Sequence, residues 1–196
     1  MKYLPNILTS LRLSAPLFFI IAILIFENLA TQTLVRFYIF LLLSITDYLD
    51  GYLARKFSIT SNYGKVFDPI SDKILSSTAL LFLSSINSKI VIPSILIIFR
   101  EFLISGAREF SLITSRTNIH VSYLSKIKTT LQFFILSSLL ILFSFENKLL
   151  LNESISIEKL VNFCIYGLWI VTLLTLYTGF QYCNNVYFNK RKGKKK

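Results

Sequence analysis

The chain has 196 residues, 54% of them hydrophobic and 15% aromatic, and a formal net charge of +11 at pH 7. With a mean hydropathy of +0.62, this composition excludes a water-soluble globular domain and leaves little sequence from which to build one alongside a membrane part. The expectation is one all-α integral membrane domain over 1–188, followed by a basic tail over 189–196.

From the amino end, Pro5, Asn6, Thr9 and Arg12 open a short amphipathic segment. Apolar runs follow at 13–26, 34–49, 74–86, 90–99, 130–145 and 161–182. Several fall short of the roughly 20 residues that cross a bilayer, so their helices must extend into flanking polar sequence. The pattern predicts six transmembrane helices. Connections on one side of the membrane are predicted at 27–33, 87–89 and 146–158, and the two substantial loops on the other at 56–63 and 114–125. No small-residue cleavage site follows the first run, which reads as a retained span. Cys164 and Cys183 lie 19 residues apart on one predicted helix, about 28 Å along its axis and too far to bridge. His120, in a loop, has no second histidine or cysteine nearby to make a zinc site.

Six spans put both termini on one side, with the loops after the second and fourth. That side carries 17 of the 21 lysines and arginines, leaving Arg36, Lys89, Lys148 and Lys159 opposite. The asymmetry predicts cytoplasmic termini. The basic tail suits anionic headgroups.

All four aspartates, Asp47, Asp50, Asp68 and Asp72, fall within 26 residues. Residues three or four apart share a helix face, so Asp47 and Asp50 point together from the end of the second span. Asp68 and Asp72 do the same from the start of the third, and the short intervening loop brings the two ends side by side. Carboxylates crowded at a membrane repel one another and resist desolvation unless cations neutralise them. Oxygen ligands of this kind suit one or two Mg²⁺ or Mn²⁺ ions, which often also hold substrate phosphates. Gly51, Ala54 and Gly64 flank the carboxylates; their small size serves either close helix packing or entry of a flat substrate. Pro69 fits the first turn of the third span.

The pattern Asp47-x2-Asp50-Gly51-x2-Ala54-Arg55-x8-Gly64-x3-Asp68-x3-Asp72 resembles the signature of the CDP-alcohol phosphatidyltransferases. The resemblance implies a six-helix membrane enzyme, commonly a homodimer, that binds two divalent ions. It implies transfer of a phosphatidyl group from a CDP-linked lipid to an alcohol, with release of CMP. Further segments resemble the bacterial branch whose donor is CDP-diacylglycerol and whose acceptor is glycerol 3-phosphate. These are Pro5-Asn6-x2-Thr9-x2-Arg12-x3-Pro16, Phe67-Asp68-Pro69-x-Ser71-Asp72-Lys73, Arg100-Glu101-x3-Ser105-x2-Arg108-Glu109 and Ser125-Lys126-x-Lys128-Thr129-Thr130-x-Gln132. Ser71, Tyr123 and Ser125 depart from that branch, where alanine, tryptophan and glycine are expected.

By this resemblance Asp47, Asp50 and Asp68 are metal ligands, and Asp72 is the general base that also touches a metal. Asn6, Thr9, Arg12, Gly51, Ala54, Arg55 and Gly64 would border the nucleotide and diphosphate; Arg55 also reads as an interface residue that snorkels. Arg100, Arg108, Lys126 and Lys128 would bind the acceptor's phosphate, against a purely topological role for the last three. The implied site is the cytoplasmic face of a bacterial inner membrane, and no nucleic-acid partner is expected. Serine, inositol phosphate or phosphatidylglycerol are rival acceptors. An ion-coupled transporter is the rival of another class, but it would scatter its polar groups near the bilayer midplane and show repeats, which this sequence lacks.

Overall fold

The computed structural model describes residues 4–57, 62–115, 123–146 and 151–193, and the side chains of 6–46, 67–108, 124, 126–145 and 157–184. Helix α1 (Leu4–Leu13) leads into α2 (Ala15–Ile25), and α3 (Leu29–Phe57) and α4 (Asn62–Ile86) follow. A 3₁₀ turn (Ser88–Ile90) then precedes α5 (Val91–Ser115), α6 (Tyr123–Glu146) and α7 (Leu151–Gly193). Among the described residues there is no strand.

The axes of α1 and α2 differ by 49° at Ser14. Pro16 sits in the first turn of α2, where its missing N–H costs nothing. The Ser14 hydroxyl donates to the Leu11 carbonyl at 2.8 Å, satisfying one of the carbonyls that a helix end leaves open. The Asn28 side chain accepts the Ala30 N–H at 2.9 Å and so starts α3 at Leu29. The first connection is therefore shorter than the predicted 27–33. The predicted loop at 146–158 is corrected likewise, because α7 begins at Leu151. At the other end α7 remains helical into the predicted tail, as far as Gly193. Pro69 lies well inside α4 rather than in its first turn, so the helix forgoes the backbone bond to residue 65 there.

The protein is a multi-pass membrane protein. Stretches Leu29–Thr46, Ser88–Arg108, Lys126–Phe145 and Ile157–Asn184 are long and apolar enough to cross a bilayer, and the bent pair of α1 and α2 makes a fifth candidate. Among the described residues α4, the expected sixth crossing, does not reach that apolarity. Its apolar half contains Ser76, Ser77, Ser84 and Ser85. Asp72 and Lys73 shorten the apolar stretch further, and the serines suit the packing, since α4 lies against α1, α2, α3, α5 and α6. A helix surrounded by protein gains more from small residues that permit close approach than from lipid-soluble ones. The Ser84 hydroxyl bonds to the Leu80 carbonyl and to Ser94 on α5, at 2.7 and 2.9 Å.

Leu75, Ala79, Leu80 and Leu83 of α4 pack with Phe40, Ile97, Leu136, Leu139, Leu140 and Leu168 in the core. Phe163, Tyr166, Ile170, Leu173, Tyr177 and Phe180 form an exposed stripe along α7, as suits lipid contact. Arg36, which the sequence offers only as an outer-side charge, is fully buried. Its Nε and Nη2 donate to the Phe19 carbonyl of α2 at 3.2 and 3.1 Å, and its Nη1 to Gln32 at 3.3 Å. Its guanidinium lies 3.7 Å from the centre of the Phe82 ring on α4. One arginine thus clasps α2, α3 and α4.

Candidate active site

Helix α1 lies along α4, and their facing registers bring four of the predicted residues together. Thr9 and Arg12, one turn apart on α1, are fully buried; Asp68 and Asp72 are one turn apart on α4. The Thr9 hydroxyl donates to Asp68 Oδ1 at 2.6 Å, and Arg12 Nη1 donates to Asp72 Oδ1 at 2.7 Å. Arg12 Nη2 stands 3.7 Å from Asp68 Oδ1. The Ser71 hydroxyl bonds to the Asp68 carbonyl at 2.9 Å. The two carboxylates stay about half exposed and can accept further partners.

Asp47, Asp50, Gly51, Ala54 and Arg55 belong to α3, and Gly64 to α4; their side chains lie outside the described residues. Asn6 precedes Thr9 by three residues on α1 and is half-buried. Among the described residues no three acidic, histidine or cysteine side chains form a metal cluster. The described acidic pair is chemically suited to a hard divalent ion, since it offers carboxylate oxygens from one helix face.

A second polar cluster meets the neighbouring face of α4. One residue beyond Asp72 the helix has turned by about 100°, and Lys73 there donates to the Ser105 hydroxyl of α5. Close by in sequence on α5, Arg100 and Glu101 sit among apolar neighbours. Glu101 Oε1 accepts Lys128 Nζ of α6 at 2.6 Å and Arg100 Nη1 at 3.3 Å. Arg100 Nη2 donates to the Thr178 hydroxyl of α7 at 2.9 Å. Arg100 and Lys128 are buried, whereas Arg108 and Lys126 are exposed. The four predicted phosphate-binding cations therefore divide into two internal and two surface groups.

Sequence reasoning passed over Thr178 and Gly179 and gave Glu101 no role. A charged pair inside an apolar run pointed to Glu101; nothing comparable marks α7.

The sequence profile of the CDP-alcohol phosphatidyltransferases matches residues 2–177. The chain belongs to the CDP-alcohol phosphatidyltransferase family. Members of this family generally use divalent metal ions, in keeping with the acidic pair. Among relatives in the family is a Rickettsia felis protein, 40% identical over 181 residues, 92% of this chain and 93% of its own length. Proteins from Bacillus subtilis and Haemophilus influenzae are each 33% identical, over 191 and 186 residues. These cover 91% and 93% of this chain, and 92% of each relative. All three carry the name CDP-diacylglycerol–glycerol-3-phosphate 3-phosphatidyltransferase.

Proposed function

We propose that this phosphatidyltransferase moves the phosphatidyl group of CDP-diacylglycerol to glycerol 3-phosphate, giving phosphatidylglycerol phosphate and CMP in phospholipid biosynthesis. The observation that carries the proposal is identity spanning nine-tenths of both chains with relatives named for that reaction. The basic groups on α5 and α6 support it, because this acceptor brings a phosphate of its own.

In the reaction, a hydroxyl oxygen of glycerol 3-phosphate forms a bond to the lipid-linked phosphorus of CDP-diacylglycerol. The bond from that phosphorus to the bridging oxygen breaks, and CMP leaves with the oxygen. Asp47, Asp50, Asp68 and Asp72 would hold Mg²⁺ or Mn²⁺, two ions in this reading. When bound, such ions polarise the diphosphate and neutralise developing charge. Asp72 takes the proton of the attacking hydroxyl. Thr9 and Arg12 fix the Asp68 and Asp72 carboxylates, so α1 orients the acidic face, and with Asn6 it borders the diphosphate. Gly51, Ala54, Arg55 and Gly64 flank the nucleotide. Arg100, Arg108, Lys126 and Lys128 serve the acceptor's phosphate, whose charge suits arginine and lysine donors.

In this reading the enzyme works as a homodimer in a bacterial inner membrane, with its termini and site cytoplasmic. The charge asymmetry of the sequence supports that orientation. The test is CMP release by purified protein in detergent with CDP-diacylglycerol and Mg²⁺, each acceptor supplied separately. Release with glycerol 3-phosphate is expected; release with serine, inositol phosphate or phosphatidylglycerol instead would replace the acceptor. No release with any of them from folded protein would refute the transferase reading.

A further inference from the structure

Helix α7 carries no charge between Lys159 and Lys190, yet its inner face is polar where it meets α5. The Thr178 hydroxyl accepts Arg100 Nη2 at 2.9 Å and bonds back to the Leu174 carbonyl at 2.9 Å. The next residue, Gly179, leaves the gap that the arginine fills. A Cβ placed at Gly179 would stand 2.8 Å from Arg100 Nε and 3.1 Å from its Cγ. Any side chain there would force the arginine to shift. Among the described residues, Arg100 Nε is buried without a hydrogen-bond partner, as are Thr175 Oγ1 and Tyr182 Oη elsewhere on α7. Buried polar atoms left in that state are rare and costly. A shape this specific, kept at that cost, implies that the position of Arg100 matters.

Charge counting says why. Arg100, Glu101 and Lys128 together carry two positive charges and one negative. With Arg100 seated, Glu101 Oε1 is shared between the two cations, and the trio adds a single positive charge to that of the neighbouring Lys73. In a low-dielectric setting that excess acts strongly on a nearby anion. Were Arg100 displaced, Glu101 would pair with Lys128 alone and neutralise it.

We propose that Gly179 and Thr178 are positioning residues for the acceptor's phosphate: they seat Arg100 and, through Glu101, fix Lys128. This rests on the acceptor reading given above. Neither residue touches substrate; both act through Arg100.

The test compares Gly179→Ala and Thr178→Val with Gly167→Ala, a change on the same helix whose new Cβ would meet only the apolar Ile135 side chain, at 3.1 Å. Two readouts are needed: steady-state kinetics, and calorimetric binding of glycerol 3-phosphate to the purified protein. The expected result is a rise of about tenfold in KM for glycerol 3-phosphate in both seat variants, with KM for CDP-diacylglycerol within about twofold of wild type. Binding of glycerol 3-phosphate should weaken in parallel, and Gly167→Ala should leave both quantities unchanged. Thr178→Val keeps the test open if Gly179→Ala does not fold. The proposal is overturned if the seat variants bind glycerol 3-phosphate as wild type does, or if both KM values and kcat shift together. It is also overturned if wild type does not bind glycerol 3-phosphate. A wild type that binds glycerol 3-phosphate, loses that binding in the seat variants and yet releases CMP only with another acceptor would refute the acceptor assignment and leave the seat standing.

Discussion

Arg12→Ala isolates what α1 contributes to the acidic face. Arg12 is fully buried, 2.7 Å from Asp72 and 3.7 Å from Asp68, whose side chains are 43% and 48% exposed. Removing one partner of a wholly buried pair costs about 3–5 kcal/mol, whereas a fully exposed pair is worth at most about 1 kcal/mol. With one partner buried and the carboxylates half in water, a loss of about 2 kcal/mol follows. For a chain of this size that lowers the melting temperature by about 4–8 °C. The physical cause is a pair of carboxylates deprived of a cation, so a bound divalent ion should repair part of the loss. Thermal unfolding of wild type and Arg12→Ala in detergent, in EDTA and again in Mg²⁺, measures this directly. The gap between the proteins should be widest in EDTA and narrow in Mg²⁺. Equal melting temperatures in EDTA, or a gap that Mg²⁺ leaves untouched, would refute the reasoning.

Asp72→Asn retains the Oδ1 that accepts from Arg12 but cannot take a proton, so the protein should stay folded while kcat falls by about 10²–10⁴-fold; an active variant would remove Asp72 from the role of base. Chelation with EDTA should abolish CMP release, and Mg²⁺ or Mn²⁺ should restore it better than Ca²⁺, a larger ion that demands more ligands. Arg36→Met deletes the donors to Phe19 and Gln32 and the stacking on Phe82, and should cost about 3 kcal/mol in thermal unfolding. Because Arg36 clasps helices away from the acidic face, KM for both substrates should hold steady in that variant; a selective KM change would assign it a different role.

Much of the site was legible because its chemistry is local in sequence. The spacings within 68–72 and within 9–12 are helix spacings, so each pair had to share a face whatever the tertiary structure. The sequence could not say that the two faces meet, since Thr9 and Asp68 are 59 residues apart and no local rule relates them. The expectation that Thr9 and Arg12 border the diphosphate took no account of their contacts with the acidic pair. The burial of Arg36 was hidden for a similar reason, since it depends on the carbonyl of Phe19 and the ring of Phe82 rather than on its own neighbours. At α4 the apolar run is shortened by Asp72 and Lys73 and diluted by serines, so a span there is less distinct than the others. The helix ends at Leu29 and Leu151 were hidden because polar residues there continue or cap helices that the apolar runs alone would have started later.

The pairing of distant residues bears on how the protein is made. Arg12 leaves the ribosome 60 residues before Asp72, and Arg100 leaves it 78 residues before Thr178. At about 5–20 residues per second, each arginine waits several seconds beside or within a bilayer without the partner that later buries it. Until the last helix inserts, the nascent chain has an acidic face but an unseated Arg100. A chain stalled before Thr178 would therefore hold Arg100 against Glu101 alone, lacking the hydroxyl on α7 that completes its seat in the finished protein.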